Sequence, residues 1–251
     1  MCYAIAFLTR RLEKYAERYG VTVQPEAMSE AGINGNLPQY YFVSGFEHPI
    51  LPVVTSDRIT FSRWGLIPSW SKNVSNANDL KTKTLNAAGE TIFEKPSFRK
   101  AAASQRCLLG IDGFFEWRQF NNQKYPYFIN SAKNEIFSLG CLFDSWKNQE
   151  TGEIHHTFSV VTTPANPLME KIHNTKKRMP LIIPADCEKD WISAGLTPSE
   201  VSALIRPYDE NGLKAVTISQ RVNQVKNNRN VPEILNPVTY PELTFFGSEL
   251  F

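Results

Sequence analysis

A cysteine stands directly after the initiator methionine, in the run MCYAIAF. Aminopeptidases remove methionine ahead of a small second residue, which would leave Cys2 carrying an α-amine beside a thiol. An α-amine titrates near ~7.7–8.0 and a cysteine thiol near ~8.5, so both have usable nucleophilic fractions at neutral pH. Such a 1,2-aminothiol has two uses. Its thiol can attack a carbonyl with the amine as base, as in N-terminal nucleophile hydrolases. Alternatively its amine condenses with an aldehyde, and the thiol closes the resulting imine to a thiazolidine. The plain alternative is a half-buried thiol that opens a first strand.

Other residue types supply acid–base and binding chemistry. Glu116 lies in the apolar run GFFEW. Strand alternation puts it on one face with Phe114 and puts Phe115 and Trp117 on the other. A carboxyl group there is desolvated and its pKa rises, unless Arg106 or Arg118 pairs with it. His173, in KIHNTKKRMP, is followed by Lys176, Lys177 and Arg178. Those cations favour the neutral imidazole and suit an anionic substrate such as phosphate, or else the histidine is structural. Asn86, in LNAAGET, either orients a carbonyl or hydroxyl with its amide or caps a turn. In RWGLIPSW, Trp70 has the character of an exposed stacking residue and Trp64 that of a core one. Arg221, Lys226 and Arg229 form a strip that either contacts phosphate or is a solvated edge.

Composition limits what these residues serve. The chain has 251 residues, 42% hydrophobic and 21% charged, which suits one folded domain with a sizeable core. A net charge of +2 gives no global basic field, so nucleic-acid binding needs a local patch. No apolar stretch reaches the ~20 residues of a membrane span. Arg10 and Arg11 interrupt the start before a secretory signal can develop. Cys2, Cys107, Cys141 and Cys187 are scattered without a CxxC pair. That spacing is poor for zinc and fits reduced thiols in a cytoplasmic protein, Cys107 and Cys141 being buried. No Gly-rich phosphate loop follows a strand, which argues against a nucleotide cofactor.

The elements that must position these groups alternate in type. TRRLEKYAERY reads as an amphipathic helix stopped by Gly20. YYFVSGF, ILPVVT and RITFSRW read as strands, and SWSKNVSNANDLKTKT as an exposed loop. Residues 106–165 hold four closely spaced β segments, and NPLMEKIHN and TPSEVSALIRP read as short helices. The fold class is therefore α+β: a curved, largely antiparallel sheet or open barrel with peripheral helices. The domain runs over residues 1–235, with an irregular tail at 236–251, and monomer is the expected state.

Cys2, the Trp64–Trp70 run, LNAAGET, GFFEW, IHNTKKRMP and SQRVNQVKNN occur in the order seen in the SOS-response-associated peptidase (SRAP) family. The chain resembles that family from residue 2 to about residue 230. The resemblance implies a cytoplasmic sensor of abasic sites in single-stranded DNA, cross-linked to the ring-opened sugar through a thiazolidine on Cys2. It implies that Asn86 orients the sugar, Glu116 assists imine formation and ring closure, and His173 promotes opening of the deoxyribose ring. It makes Trp70 the residue that props the strand apart, and Arg63, Arg221 and Lys226 candidates for backbone contact. Its peptidase label is tied to loss of the chain's own leader.

This chain departs from the family at three places. Arginines that many members carry near the start and in the second motif are Ala4 and Ala88 here, which weakens the expected grip on phosphate. Three extra residues separate His173 from Arg178. An N-terminal-Cys amidohydrolase and a non-covalent single-strand binding module remain the competing readings.

Overall fold

The β-rich stretches form two sheets, in a computed structural model that describes residues 2–23, 36–133 and 135–244. The strands are β1 (Ala4–Phe7), β2 (Thr22–Val23), β3 (Tyr40–Ser44), β4 (Ile50–Val54), β5 (Arg58–Trp64), β6 (Asn86–Ala88) and β7 (Arg106–Ile111). They continue with β8 (Gly113–Phe120), β9 (Gln123–Ser131), β10 (Phe137–Lys147), β11 (Ile154–Pro164), β12 (Arg178–Pro180), β13 (Ile182–Ile183) and β14 (Leu213–Thr217). One sheet has the order β14-β9-β8-β1-β3. In the other, the path β11-β10-β7-β4-β5 returns to β11 through a parallel pairing of Thr157 with Arg63 and Phe158 with Trp64. Five strands thus close into a barrel, which removes the exposed edges an open sheet would leave. The expected curved, largely antiparallel β architecture is present, and the closing seam is parallel.

Side-chain alternation divides the core in two. On β10, Leu139 and Cys141 join the cluster shared with the β14-β9-β8-β1-β3 sheet, which contributes Ile5, Phe114 and Ile129. Leu142 faces the other way, into a cluster with Leu12, Tyr15 and Trp191. The helix Leu12–Tyr19 turns its apolar side onto that cluster and ends at Gly20, whose φ of 62° is the left-handed cap a glycine adopts readily. Cys107 and Cys141 are cross-strand partners in the interior, and all four cysteines are free thiols.

One expected loop is a helix. Within SWSKNVSNANDLKTKT, residues Val74–Lys83 are helical, and the Asn73 side chain accepts from the Asn76 N–H at 2.9 Å. Only a narrow face is apolar: Ala77 packs with Ile67 and Trp146. With so little hydrophobic period, the cap was the readable signal. Beyond β14, residues 237–244 lie against the β14-β9-β8-β1-β3 sheet, and Pro241–Thr244 form a helical turn within the stretch expected to be irregular, of which residues 245–251 lie outside the described residues. Val238 N–H donates to the Thr217 carbonyl at 2.8 Å, and the Tyr240 hydroxyl donates to the Ile218 carbonyl at 2.7 Å.

The topology fixes where the chain begins. β1 is an inner strand, paired with β8 through Ile5–Phe114 and Ala6–Gly113 and with β3 through Ala4–Ser44 and Ile5–Val43. Extending the β1–β8 register sets Tyr3 opposite Glu116. Cys2 therefore enters the molecule beside GFFEW, over a hundred residues away in sequence.

Candidate active site

The walls of the site come from five segments, one of them β9 through Lys124. Tyr3, Glu116, Trp117, His173, Lys176 and Asn223 line an open cavity of about 340 Å³. Cys2 lies beneath it, buried in the cluster that includes Phe114, Cys141 and Met169. Burial pushes the Cys2 thiol above its ordinary range, and the neighbouring Glu116 carboxylate adds to the rise. A thiolate there is therefore disfavoured.

Glu116 follows the alternation expected of its strand. Phe114 belongs to the core cluster under the cavity, while Phe115 packs on the opposite face with Phe42 and Phe128. Burial raises the Glu116 carboxyl to about 7. Neither arginine considered as its partner takes that place. Arg106 donates to the carbonyls of Ala102 (2.7 Å), Ala103 (2.9 Å) and Trp191 (2.8 Å), tying two helices to β7. The Arg118 guanidinium lies 5.9 Å from the centroid of the Phe120 ring. Gly113 lets β8 approach β9, because a Cβ there would collide with the Phe128 ring and sit 2.7 Å from the Ile129 carbonyl oxygen.

His173 follows the short helix Pro167–Ile172, which Asn166 caps by accepting from Met169 N–H at 2.8 Å. Its Nδ1 is 2.8 Å from the Arg178 carbonyl oxygen and 3.8 Å from Glu116 Oε1. A carbonyl oxygen can only accept, so Nδ1 carries the proton and the other ring nitrogen is the basic one. Burial lowers the His173 pKa, with Lys176 and Arg178 lowering it further, so the ring is neutral at pH 7. The site thus pairs a half-protonated carboxylic acid with a neutral imidazole, the division of roles that proton transfer near neutrality needs.

Arg178 connects two motifs that the sequence left separate. Its guanidinium grips Glu90 of LNAAGET at 2.5 and 2.9 Å, and it also donates to the Thr162 carbonyl at 2.8 Å. The carbonyl that orients His173 is therefore fixed by a bidentate ion pair. Four residues earlier, Asn86 lies on β6 beside Val160 of β11, in one lateral row with Cys141. Ala87 turns into the opposite cluster, so Asn86 points toward the side that holds Cys2. Both polar atoms of the Asn86 amide are buried and have no hydrogen-bond partner among the described residues. An amide so placed awaits a ligand or loses about 1–3 kcal/mol to desolvation.

The remaining candidates are spread around this centre. Trp70 is 47% exposed, its indole N–H donating to the Pro96 carbonyl at 3.2 Å, while Trp64 is buried. Arg63, on β5, donates to the His48 carbonyl at 3.1 Å. Arg221 and Lys226 are exposed on either side of Asn223, and none of these four residues lines the cavity. Ala4 is buried with Phe42, Phe115, Val222 and Ile234, which leaves no room for a long cation; Ala88 is exposed. Sequence reasoning missed Tyr3 and the Trp117–Asn223 pair, whose indole N–H to amide oxygen distance is 2.7 Å. Strand register supplies the only signal for Tyr3.

A family model described as SOS response associated peptidase (SRAP) matches residues 1–225. Abasic site processing protein YoqW of Bacillus subtilis is 37% identical over 183 residues, covering 72% of this chain and 77% of YoqW. Abasic site processing protein HMCES of Gallus gallus is 29% identical over 267 residues, covering 94% of this chain and 76% of its own length. A crystal structure of a protein from Bacteroides thetaiotaomicron superposes with a TM-score of 0.87 at 34% identity, over 95% of this chain and 100% of that one.

Proposed function

We propose that this chain, which belongs to the SOS response associated peptidase (SRAP) family, captures abasic sites in single-stranded DNA covalently through Cys2. The observation that carries the reading is the Glu116–His173 pair, 3.8 Å apart, with Glu116 neighbouring a buried cysteine at the second position of the chain. The names of its relatives YoqW and HMCES, abasic site processing proteins, support the same substrate.

The chemistry starts with loss of Met1, the peptidase step, which frees the Cys2 amine. An abasic deoxyribose rests mainly as a cyclic hemiacetal. His173 accepts the proton of the anomeric hydroxyl at its free ring nitrogen and returns it to the ring oxygen as the C1′–O4′ bond breaks, opening the sugar to its C1′ aldehyde. The Cys2 amine adds to C1′, and Glu116 in its acid form protonates the departing hydroxyl, so that one water leaves and a C=N bond forms. The Cys2 sulfur then adds to the imine carbon and the thiol proton passes to nitrogen, closing the five-membered ring. One water is expelled in all and nothing is oxidised, so the reaction requires no metal, nucleotide or redox cofactor. Asn86 orients the opened sugar by its buried amide. Trp70 stacks on a base beside the lesion, and Arg63, Arg221 and Lys226 contact the backbone. The protein acts as a cytoplasmic monomer, with its thiols reduced.

The test is intact mass and a denaturing gel with single-stranded DNA carrying one abasic site. The expected adduct has the mass of protein without Met1 plus oligonucleotide minus one water, and it vanishes in Cys2→Ala. An adduct that survives in Cys2→Ala sinks the assignment, and turnover of a peptide amide without adduct would favour an amidohydrolase.

A further inference from the structure

The three residues inserted between His173 and Arg178 build part of the cavity. Asn174 docks their loop on the edge of β8, donating to the Gln119 carbonyl at 2.8 Å and accepting from the Gln119 N–H at 3.0 Å. This amide bridge imitates one rung of a β-ladder, so the loop has a fixed seat. Of the three consecutive cations that follow, two are neutralised. Lys177 pairs with Glu170 at 3.6 Å, and Arg178 is clamped on Glu90. Lys176 alone of the three lines the cavity, and no carboxylate among the described residues pairs with it.

A second ammonium approaches from the opposite wall. Lys124 lies on β9 and also lines the cavity without an ion-pair partner among the described residues. Its own carbonyl accepts from the Gln220 side chain at 2.9 Å, Gln220 in turn holds Asn223, and Asn223 holds Trp117. Two unneutralised cations therefore flank Glu116 and His173 from separate, tethered segments. A sugar seated at that pair would carry its phosphates toward walls that include both lysines.

We infer that Lys176, with Lys124 opposite, is a phosphodiester-binding site that replaces the arginines absent at Ala4 and Ala88. The inference rests on the abasic-site reading for the identity of the ligand. Burial of Ala4 under Val222 and Ile234 explains why the cation had to come from elsewhere.

The experiment measures binding of a single strand bearing a tetrahydrofuran abasic analogue, which has no aldehyde, as a function of salt. One phosphate contact contributes about 0.7 to the slope of log affinity against log salt for single strands. Lys176→Ala is expected to flatten the slope by about that amount, Lys176→Arg to restore it, and Lys177→Ala to leave it unchanged. In parallel, Lys176→Ala should slow adduct formation with free 2-deoxyribose, an aldehyde source without phosphate, less than it slows capture of an abasic strand. An unchanged slope in Lys176→Ala, an equal drop in Lys177→Ala, or an equal loss of the deoxyribose reaction overturns the assignment. If wild type forms no adduct while the slopes behave as expected, the phosphate site stands and the covalent chemistry falls.

Discussion

Glu116 Oε1 stands 3.8 Å from His173 Nδ1, yet that nitrogen's proton is already given to the Arg178 carbonyl. The two groups therefore do not neutralise one another as an ion pair. The carboxyl keeps its own titration, at about 7 because of burial, while burial holds the imidazole below its usual range. Each is left to serve a different proton, and each can be followed separately.

The carboxyl yields a pH signature in stability. Folding raises Glu116 from 4.5 to about 7, so the native state holds a proton that the unfolded chain releases. Stability from this group is full below about 4.5 and is lost as pH rises through about 7, a change of up to about 3 kcal/mol. Urea midpoints at pH 5 and pH 8 should therefore lie closer together in Glu116→Gln than in wild type. Adduct formation should also fall above pH 7 in wild type and lose that dependence in Glu116→Gln. Identical pH dependence in both proteins would contradict the shifted carboxyl.

Asn86 should trade stability for activity. Replacing a buried, unpartnered amide with an apolar side chain removes a desolvation cost of about 1–3 kcal/mol. Asn86→Leu is expected to melt no lower than wild type while its adduct rate falls by at least tenfold, about 1.4 kcal/mol of transition-state stabilisation. A destabilised variant with full activity would reverse the assignment.

The Arg178–Glu90 grip fixes the carbonyl that orients His173. Glu90→Gln should slow capture of a ring-closed abasic sugar by roughly tenfold, less than the ~10²–10⁴ that loss of an acid–base group costs. Capture of a strand bearing an acyclic aldehyde, which needs no ring opening, should be unaffected. Equal slowing of both substrates would assign Glu90 a general structural part instead.

Gly113 tests the seating of β8. A methyl group there meets the Phe128 ring and the Ile129 carbonyl, an overpacking that typically costs about 1–3 kcal/mol. Gly113→Ala should lower the urea midpoint and, by shifting the strand that carries Glu116, reduce the adduct rate as well. A variant of unchanged stability would show that Phe128 yields.

Trp70 should behave in the opposite manner. Its ring is exposed, so Trp70→Ala is expected to leave the melting temperature nearly unchanged. Affinity for a single strand should drop by about 1–3 kcal/mol, the cost of one lost stacking platform. Binding titrations at fixed salt measure this directly, and unchanged affinity would remove Trp70 from the interface.

The legible parts of this site were those set by local rules. Alternation along GFFEW put Glu116 under the cavity and Phe115 on the far face, and the Asn166 cap marks the helix leading to His173. Trp64 and Trp70 divided between core and surface as their surroundings suggested. What stayed hidden depends on pairing between distant segments. Nothing near Arg178 announces Glu90, 88 residues earlier, and nothing in MCYAIAF says that β1 will lie between β8 and β3. Ala4 looked like a missing cation, and only its contacts with Phe42, Val222 and Ile234 reveal an apolar seat.

The inner position of β1 also has a mechanical consequence. DNA joined to Cys2 would hang from a strand hydrogen-bonded along both edges, to β8 and to β3. A translocating enzyme that pulled on that DNA along the strand direction would load both ladders in shear, where the bonds on the two edges must break together. An adduct on Cys2 would thereby be held by a strand paired on both sides, so that a pull on the lesion is borne by two ladders rather than by one residue.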